Sequence, residues 1–243
     1  MGKLWNKVKK VQDQCRPYCT AIIPAAGQSR RMGGQNKLFA MLNGLPVLVR
    51  TLQAVDAAEL VDEIVVTAQE ELLLEVADLC SSAGLRKPVR VVKGGATRTE
   101  SVLAAALEAN PKAKLLAVHD GARPLVVSAE FDDVIRYAER TLAAAPAVPV
   151  SDTIKVADET GLICDTPDRS TLYAVQTPQV FQADMLRAAL QDALNHKVTL
   201  TDDCAALERL GKQVYLTAGN PENIKITTPV DLMIAEAILK SRG

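Results

Sequence analysis

The chain predicts an α/β fold, a mostly parallel sheet with helices on both faces, from three observations. Short apolar runs alternate with helix-length amphipathic segments along most of its length. Apolar residues make up 48% but aromatics only 3%, so Ala, Val, Leu and Ile must build the core, a balance suited to buried parallel strands under alanine-rich helices. At 243 residues the chain is long enough for one large domain, and a second is not required.

Residues 1–17 stand apart as a basic extension before a domain over residues 18–243. Leu4, Val8 and Val11 share one helical face beside Trp5, ringed by Lys3, Lys7, Lys9, Lys10 and Arg16. A basic amphipathic helix touching a membrane or partner is one reading. The stretch is short, which favours a solvated extension. Residues 19–24 read as the first strand. After an Asn43-Gly44 turn, 46–55 read as a helix, 63–67 as a β-branched strand, and 70–83 as a helix closed by Gly84. Residues 90–92 form a third strand. Thr97-Arg98-Thr99-Glu100 has capping-box spacing ahead of a helix at 101–109. A fourth strand at 114–119, a helix at 129–142 and a fifth strand at 143–150 complete the alternation, giving a Rossmann-like arrangement.

Residues 151–180 break it. Asp152–Val156 and Leu162–Asp165 flank Asp158-Glu159-Thr160-Gly161 in a hairpin pattern. Such an insertion is a lid or an oligomerisation arm; a strand edge there needs covering, which favours a protruding β-hairpin dimerisation arm at about residues 150–176. In the last third, Thr201 reads as the N-cap of a short helix with Asp202 and Asp203 in its first turn, Arg209 late and Gly211 closing it. Asp202 and Asp203 could ligate a metal, but partners of the helix dipole is the commoner role for such acids. Residues 213–218 form a strand. Lys225 sits between apolar neighbours in a short strand, and Thr228-Pro229 start the final helix.

Net charge is −1, which gives no argument for nucleic-acid binding. No apolar run approaches the ~18 residues of a membrane span, and the basic N-terminus lacks the apolar segment of a signal peptide. Five scattered cysteines, an odd number, point to reduced thiols and a cytoplasmic location. Cys15 and Cys19 have no second pair to complete a metal–thiolate site.

Ligands of such sheets bind beyond the carboxyl ends of the strands, and that rule selects three loops. The first, residues 25–37, holds three cations and no carboxylate, as an anionic ligand requires. It has neither the dinucleotide fingerprint nor a Gly-Lys-Ser/Thr P-loop. The second, residues 93–101, carries Gly94, Gly95 and Arg98. The third is Asp120-Gly121-Ala122-Arg123-Pro124. Asp120 is either a surface ion pair with Arg123 or a holder of Mg²⁺ against a polyphosphate. His119 reads as a packing residue rather than a catalytic base.

Ile23-Pro24-Ala25-Ala26-Gly27 with Arg30-Arg31-Met32 and Lys37 resembles the signature of the sugar-phosphate nucleotidyltransferases. Gly94-Gly95…Arg98…Ser101-Val102, His119–Pro124 and Asn223-Ile224-Lys225-Ile226-Thr227-Thr228-Pro229 narrow it. With Asp152-Thr153-Ile154-Lys155 and Gln176-Thr177-Pro178-Gln179, the ordered set from about Tyr18 onward resembles the 2-C-methyl-D-erythritol 4-phosphate cytidylyltransferase family of the non-mevalonate isoprenoid pathway. The resemblance implies an enzyme taking CTP and a polyol phosphate, aided by Mg²⁺, and working as a homodimer with interlocked arms. It implies Arg31 and Lys37 as the residues that stabilise the transition state and Asp120 as the metal ligand. Pro24, Ala25, Ala26, Gly27, Gly95, Ala96, Arg98, Ser101 and Gly121 would line the nucleotide pocket. Lys225 and Thr201 would position the acceptor, joined by Thr153 and Arg169 from the neighbouring subunit. The attacking group would be a phosphate oxygen, largely deprotonated near pH 7 because a phosphomonoester's second pKa is ~6, so no general base is needed. Ser29, Ala96 and Asn36-Lys37-Leu38-Phe39 depart from the usual pattern, and Ala96 loses any side-chain contact made there. A ribitol 5-phosphate cytidylyltransferase and a non-catalytic nucleotide-binding protein are the alternatives.

Overall fold

A computed structural model describes residues 16–27 and 36–242. The helix reading of residues 1–15, together with Ser29 and Arg31, lies outside the described residues.

β1 (Tyr18–Pro24) is followed by a small hairpin of β2 (Met41–Leu42) and β3 (Leu45–Pro46). Then come α1 (Val47–Ala57), β4 (Glu63–Ala68), α2 (Leu73–Ser82), β5 (Val89–Lys93), α3 (Arg98–Glu108) and β6 (Ala113–Val118). α4 (Ser128–Thr141) leads into β7 (Ala143–Pro149). The chain continues through β8 (Val156–Ala157), β9 (Ile163–Asp165), β10 (Tyr173–Val175) and β11 (Gln179–Gln182). α5 (Ala183–Asn195), α6 (Cys204–Arg209), β12 (Tyr215–Ala218) and α7 (Pro229–Arg242) close it.

β1 lies at the centre, parallel to both β4 and β6, with Ile22 opposite Val65 on one side and Val118 on the other. β5 extends the sheet beyond β4. On the far side β11 runs antiparallel between β6 and β7. β12 pairs in parallel with Ala144–Ala147 of β7, residues that β11 and β10 also engage, so the latter two must share the opposite edge of β7. β10 and β11 therefore act as one interrupted strand. The sheet is mostly parallel, as the alternation predicts.

Alternating side chains of the buried strands divide the core. Ala21, Ile23, Ile64 and Val66 meet Leu48 and Leu52 of α1, Val76 of α2, Phe131 and Val134 of α4 and Ala235 of α7. Ile22, Val65, Leu116 and Val118 meet Val102 of α3, Leu186 and Leu190 of α5 and Leu207 of α6. Helices thus cover both faces. The base of the sheet is closed by Arg16, whose guanidinium makes two hydrogen bonds to Asp62, at 2.9 and 2.7 Å.

Three local expectations are corrected. The short helix begins at Cys204 with Asp203 as its N-cap residue, not at Thr201. The first-turn amides there find acceptors in Gln179 and Asp202, which leaves Thr201 no capping role. Residues 223–227 form no strand; their backbone instead docks onto the loop after β6. The hairpin segment forms its own two-stranded sheet of β8 and β9, while Tyr173–Val175 joins the central sheet, so the detached part ends before residue 173.

Candidate active site

The parallel strands end together, and their loops enclose a cleft of about 740 Å³. β1 stops at Pro24, and Ala25 donates its N–H to the Thr67 carbonyl at 2.8 Å. That bond buries Ala25 behind the wall, while Pro24, Ala26 and Gly27 face the cleft. The Ala26 carbonyl accepts from the Gln69 side-chain amide at 2.8 Å. From β5, Gly94 packs so closely that a Cβ there would lie 2.7 Å from that of Ala26. At Gly95 a Cβ would meet Glu100 at 2.2 Å. Only glycine lets this loop approach both neighbours.

The next loop is held by α3. Thr97 and Glu100 form the predicted capping box, each side chain accepting the other's backbone N–H. The Ser101 hydroxyl accepts the Gly95 N–H at 3.1 Å and donates to the Thr97 carbonyl at 2.9 Å. Gly95, Ala96, Arg98 and Ser101 consequently line the cleft.

After β6 the cleft turns strongly ionic. Asp120 accepts from Arg98 at 2.6 Å on one oxygen and pairs with Lys225 at 2.9 Å and Arg123 at 3.5 Å on the other. Lys225 arrives from the far end of the chain because residues 223–226 are pinned to this loop. Arg123 donates to the Asn223 carbonyl at 2.6 Å, and the Ile226 N–H donates to the Ala122 carbonyl at 2.8 Å. Arg98 spans a second carboxylate, Asp203, at 2.7 Å. Burial disfavours charge on Asp120, but Arg98 and Lys225 outweigh it and hold the carboxyl well below the usual carboxylate range. Asp203 is equally buried with Arg98 as its one nearby cation, and there burial prevails and pushes its pKa up.

His119 is fully buried, and desolvation lowers its pKa to about 4. Its Nε2 lies 3.1 Å from the Arg123 carbonyl, which can only accept, so Nε2 carries the proton. Nδ1 then accepts from the Thr177 hydroxyl at 3.0 Å, and Thr177 in turn accepts the Asp120 N–H at 3.1 Å. This neutral relay orients the Asp120 backbone and leaves no ring nitrogen for proton transfer, in keeping with the sequence reading.

A smaller cavity of about 170 Å³ adjoins the cleft and shares Arg98, Asp120 and Lys225 with it. Thr201 lines it beside Gln179 and Asp202. Lys37 and Gly121 line the larger cleft. Thr153 and Arg169 line neither; Arg169 donates to the Ser151 carbonyl within its own exposed arm. The sequence reading missed Gln69 and Glu71, although the strand-end rule applied to β4 points to them. It also gave no role to Thr177 and Gln179, which lie in a motif it did single out.

Among the described residues no three His, Cys, Asp or Glu side chains gather as a metal cage. The donor chemistry nonetheless fits Mg²⁺, which usually takes one or two carboxylates and completes its shell with phosphate oxygens and water. Asp120, ionised and facing the cleft, is such a carboxylate.

A parallel α/β sheet whose strand ends carry a glycine-walled, cation-rich cleft, with two cavities meeting at one ion cluster, is the architecture of a nucleotide-binding transferase. A sequence profile described as 2-C-methyl-D-erythritol 4-phosphate cytidylyltransferase matches residues 19–241. A protein of that name from Bacillus cereus is 42% identical over 221 residues, 90% of this chain and 97% of the relative. One from Parasynechococcus marenigrum is 46% identical over 222 residues, 91% and 97%. The crystal structure of 4-diphosphocytidyl-2C-methyl-D-erythritol synthase from Anaerococcus prevotii superposes with a TM-score of 0.83 at 29% identity, covering 92% of this chain and 96% of that one. The cytidylyltransferase structure from Thermus thermophilus gives 0.74 at 32% identity, over 92% and 99%. The chain belongs to the 2-C-methyl-D-erythritol 4-phosphate cytidylyltransferase family.

Proposed function

We propose that the chain transfers CMP from CTP to 2-C-methyl-D-erythritol 4-phosphate, giving 4-diphosphocytidyl-2-C-methyl-D-erythritol and pyrophosphate in the non-mevalonate isoprenoid pathway. One observation carries this reading: a nucleotide-sized cleft and a smaller cavity share Arg98, Asp120 and Lys225. Two anionic substrates placed in them would meet across that cluster.

The cleft's Gly95, Ala96 and Ser101 side takes the nucleoside largely through backbone groups, and the loop of Gly27, Arg31 and Lys37 takes the triphosphate. Lys225 holds the acceptor phosphate with its oxygen in line with the CTP α-phosphorus, while Thr201 faces the polyol. The new P–O bond forms as the α–β bridge bond breaks, and pyrophosphate leaves. Negative charge grows on the α-phosphate oxygens and the departing pyrophosphate, where Arg31 and Lys37 stabilise it. The acceptor oxygen is already ionised near pH 7, so the step needs no general base. Mg²⁺ held by Asp120 would supply further neutralisation of the phosphates when bound.

The working unit is a homodimer in which Thr153 and Arg169 of each arm enter the neighbouring site. Ile154, Val156, Leu162 and Ile163 are exposed on the arm of a single chain, and a partner would cover them. The four described cysteines are free, as a reducing cytoplasm would keep them. Among the described residues no helix is long and apolar enough to cross a membrane.

Pyrophosphate release, measured with CTP and either methylerythritol 4-phosphate or ribitol 5-phosphate, tests the assignment. Methylerythritol phosphate should be turned over far faster. Equal or better turnover of ribitol phosphate would overturn the choice of acceptor, and no release with either would overturn the catalytic reading.

A further inference from the structure

Asp203 is almost wholly buried, lines neither cavity and has Arg98 as its charged partner. Its position at the start of α6 would ordinarily commit its carboxylate to capping that helix. Here the work is done by others. The Gln179 side-chain carbonyl accepts the N–H groups of Asp203 and Cys204 at 3.1 and 3.2 Å, and Asp202 accepts that of Ala205 at 3.0 Å. Gln179 is fixed in turn by donating to Asp202 at 2.8 Å. Asp203 is thereby free to face Arg98, from 105 residues away. The Arg98 guanidinium is split between two carboxylates, one nitrogen on Asp120 at 2.6 Å and the other on Asp203 at 2.7 Å.

From this geometry we infer that Asp203 is a positioning residue that shares the charge of Arg98 with Asp120 and so loosens that pair, letting Asp120 exchange a protein cation for the divalent cation that arrives with the nucleotide. The inference rests on the metal reading of Asp120 given above. Around Asp120 stand three cations, Arg98, Arg123 and Lys225. Without Asp203 the full charge of Arg98 falls on Asp120, and the cluster as a whole becomes more positive by one. Both changes oppose a divalent cation. Neither opposes the triphosphate itself, because removing a buried carboxylate near an anion site favours the anion. Asp203 therefore acts on metal and nucleotide with opposite signs. A role in packing alone would not separate the two.

The experiment is equilibrium binding of CTP to the full-length protein, by calorimetry without acceptor, in the presence and absence of Mn²⁺. The readout is the factor by which Mn²⁺ tightens CTP binding. In Asp203→Asn, which keeps size and an acceptor for Arg98, that factor should fall about tenfold, while metal-free CTP binds as well as in wild type or better. An unchanged factor, or a parallel loss of metal-free CTP binding, overturns the inference. If wild type itself shows no Mn²⁺ effect, the metal reading of Asp120 fails and the inference goes with it. The conservative variant Asp203→Glu keeps the carboxylate and guards against a misfolded single variant. It should retain a Mn²⁺ factor close to wild type, and a fall equal to that of Asp203→Asn would overturn the charge-sharing account.

Discussion

Lys37 borders the larger cavity alone, whereas Lys225 borders both and pairs with Asp120 at 2.9 Å. In the proposed mechanism that difference separates their roles. A cation that meets charge only as it develops lowers the barrier without tightening the ground state, whereas one holding a phosphate throughout acts on binding. Lys37→Ala should lower kcat by roughly 10²-fold with a smaller change in KM for CTP. Lys225→Ala should chiefly raise KM for the acceptor phosphate. Steady-state kinetics with each substrate varied in turn checks both; an unchanged kcat in Lys37→Ala removes that residue from the chemistry. Asp120 and Lys37 could be placed from sequence because each sits in a loop that the strand pattern puts at one edge. Lys225 stood out only as a lysine between apolar neighbours in an expected strand, and the fold brings it to Asp120 by docking residues 223–226 on the loop after β6. Asp203 was not. Helix-start acids are common dipole partners, and only the fold brings this one to Arg98.

At the scale of elements, α3 presents Arg98 and Ser101 to the cleft, and its N-terminus is fixed by the Thr97–Glu100 capping box. Thr97→Ala should cost ~1 kcal/mol, as lost N-caps typically do, and lower the melting temperature by about 2–4 °C for a chain of this size. Thr97→Ser keeps the hydroxyl and should stay close to wild type in the same thermal melt; an equal loss in both would show that the cap contributes little. The box was readable because capping is local, set by residues three apart. The same holds for the β–loop–α alternation and for the proline that opens α7. β10 and β11 were not readable as strands of the main sheet. They are three and four residues long, and they form by pairing with β7 and β6, contacts that no local pattern encodes. The Thr201 cap failed for a related reason: Gln179, distant in sequence, takes over the amides of the α6 N-terminus.

For the whole molecule, the question is whether one chain makes one complete site. Residues 151–172 stand off the central sheet, and Arg169 is turned toward Ser151 of its own arm rather than toward Asp120. The aliphatic side chains of β8 and β9 are exposed, an arrangement that a second copy would relieve by covering the hairpin. If the arms interlock, Lys37 and Arg169 of one active site belong to different chains. Lys37→Ala and Arg169→Ala homodimers should then both be nearly inactive, for separate reasons. Mixing them under conditions that exchange subunits yields heterodimers with one site carrying both substitutions and the other carrying neither. In a statistical mixture half the dimers are of this kind, each with one intact site, so activity should recover to about a quarter of wild type. Recovery must depend on exchange, and tagged subunits purified as heterodimers should show half the wild-type rate per dimer. An arm that served only its own chain would leave every site in the mixture with one lesion, and no activity would return however completely the subunits exchanged.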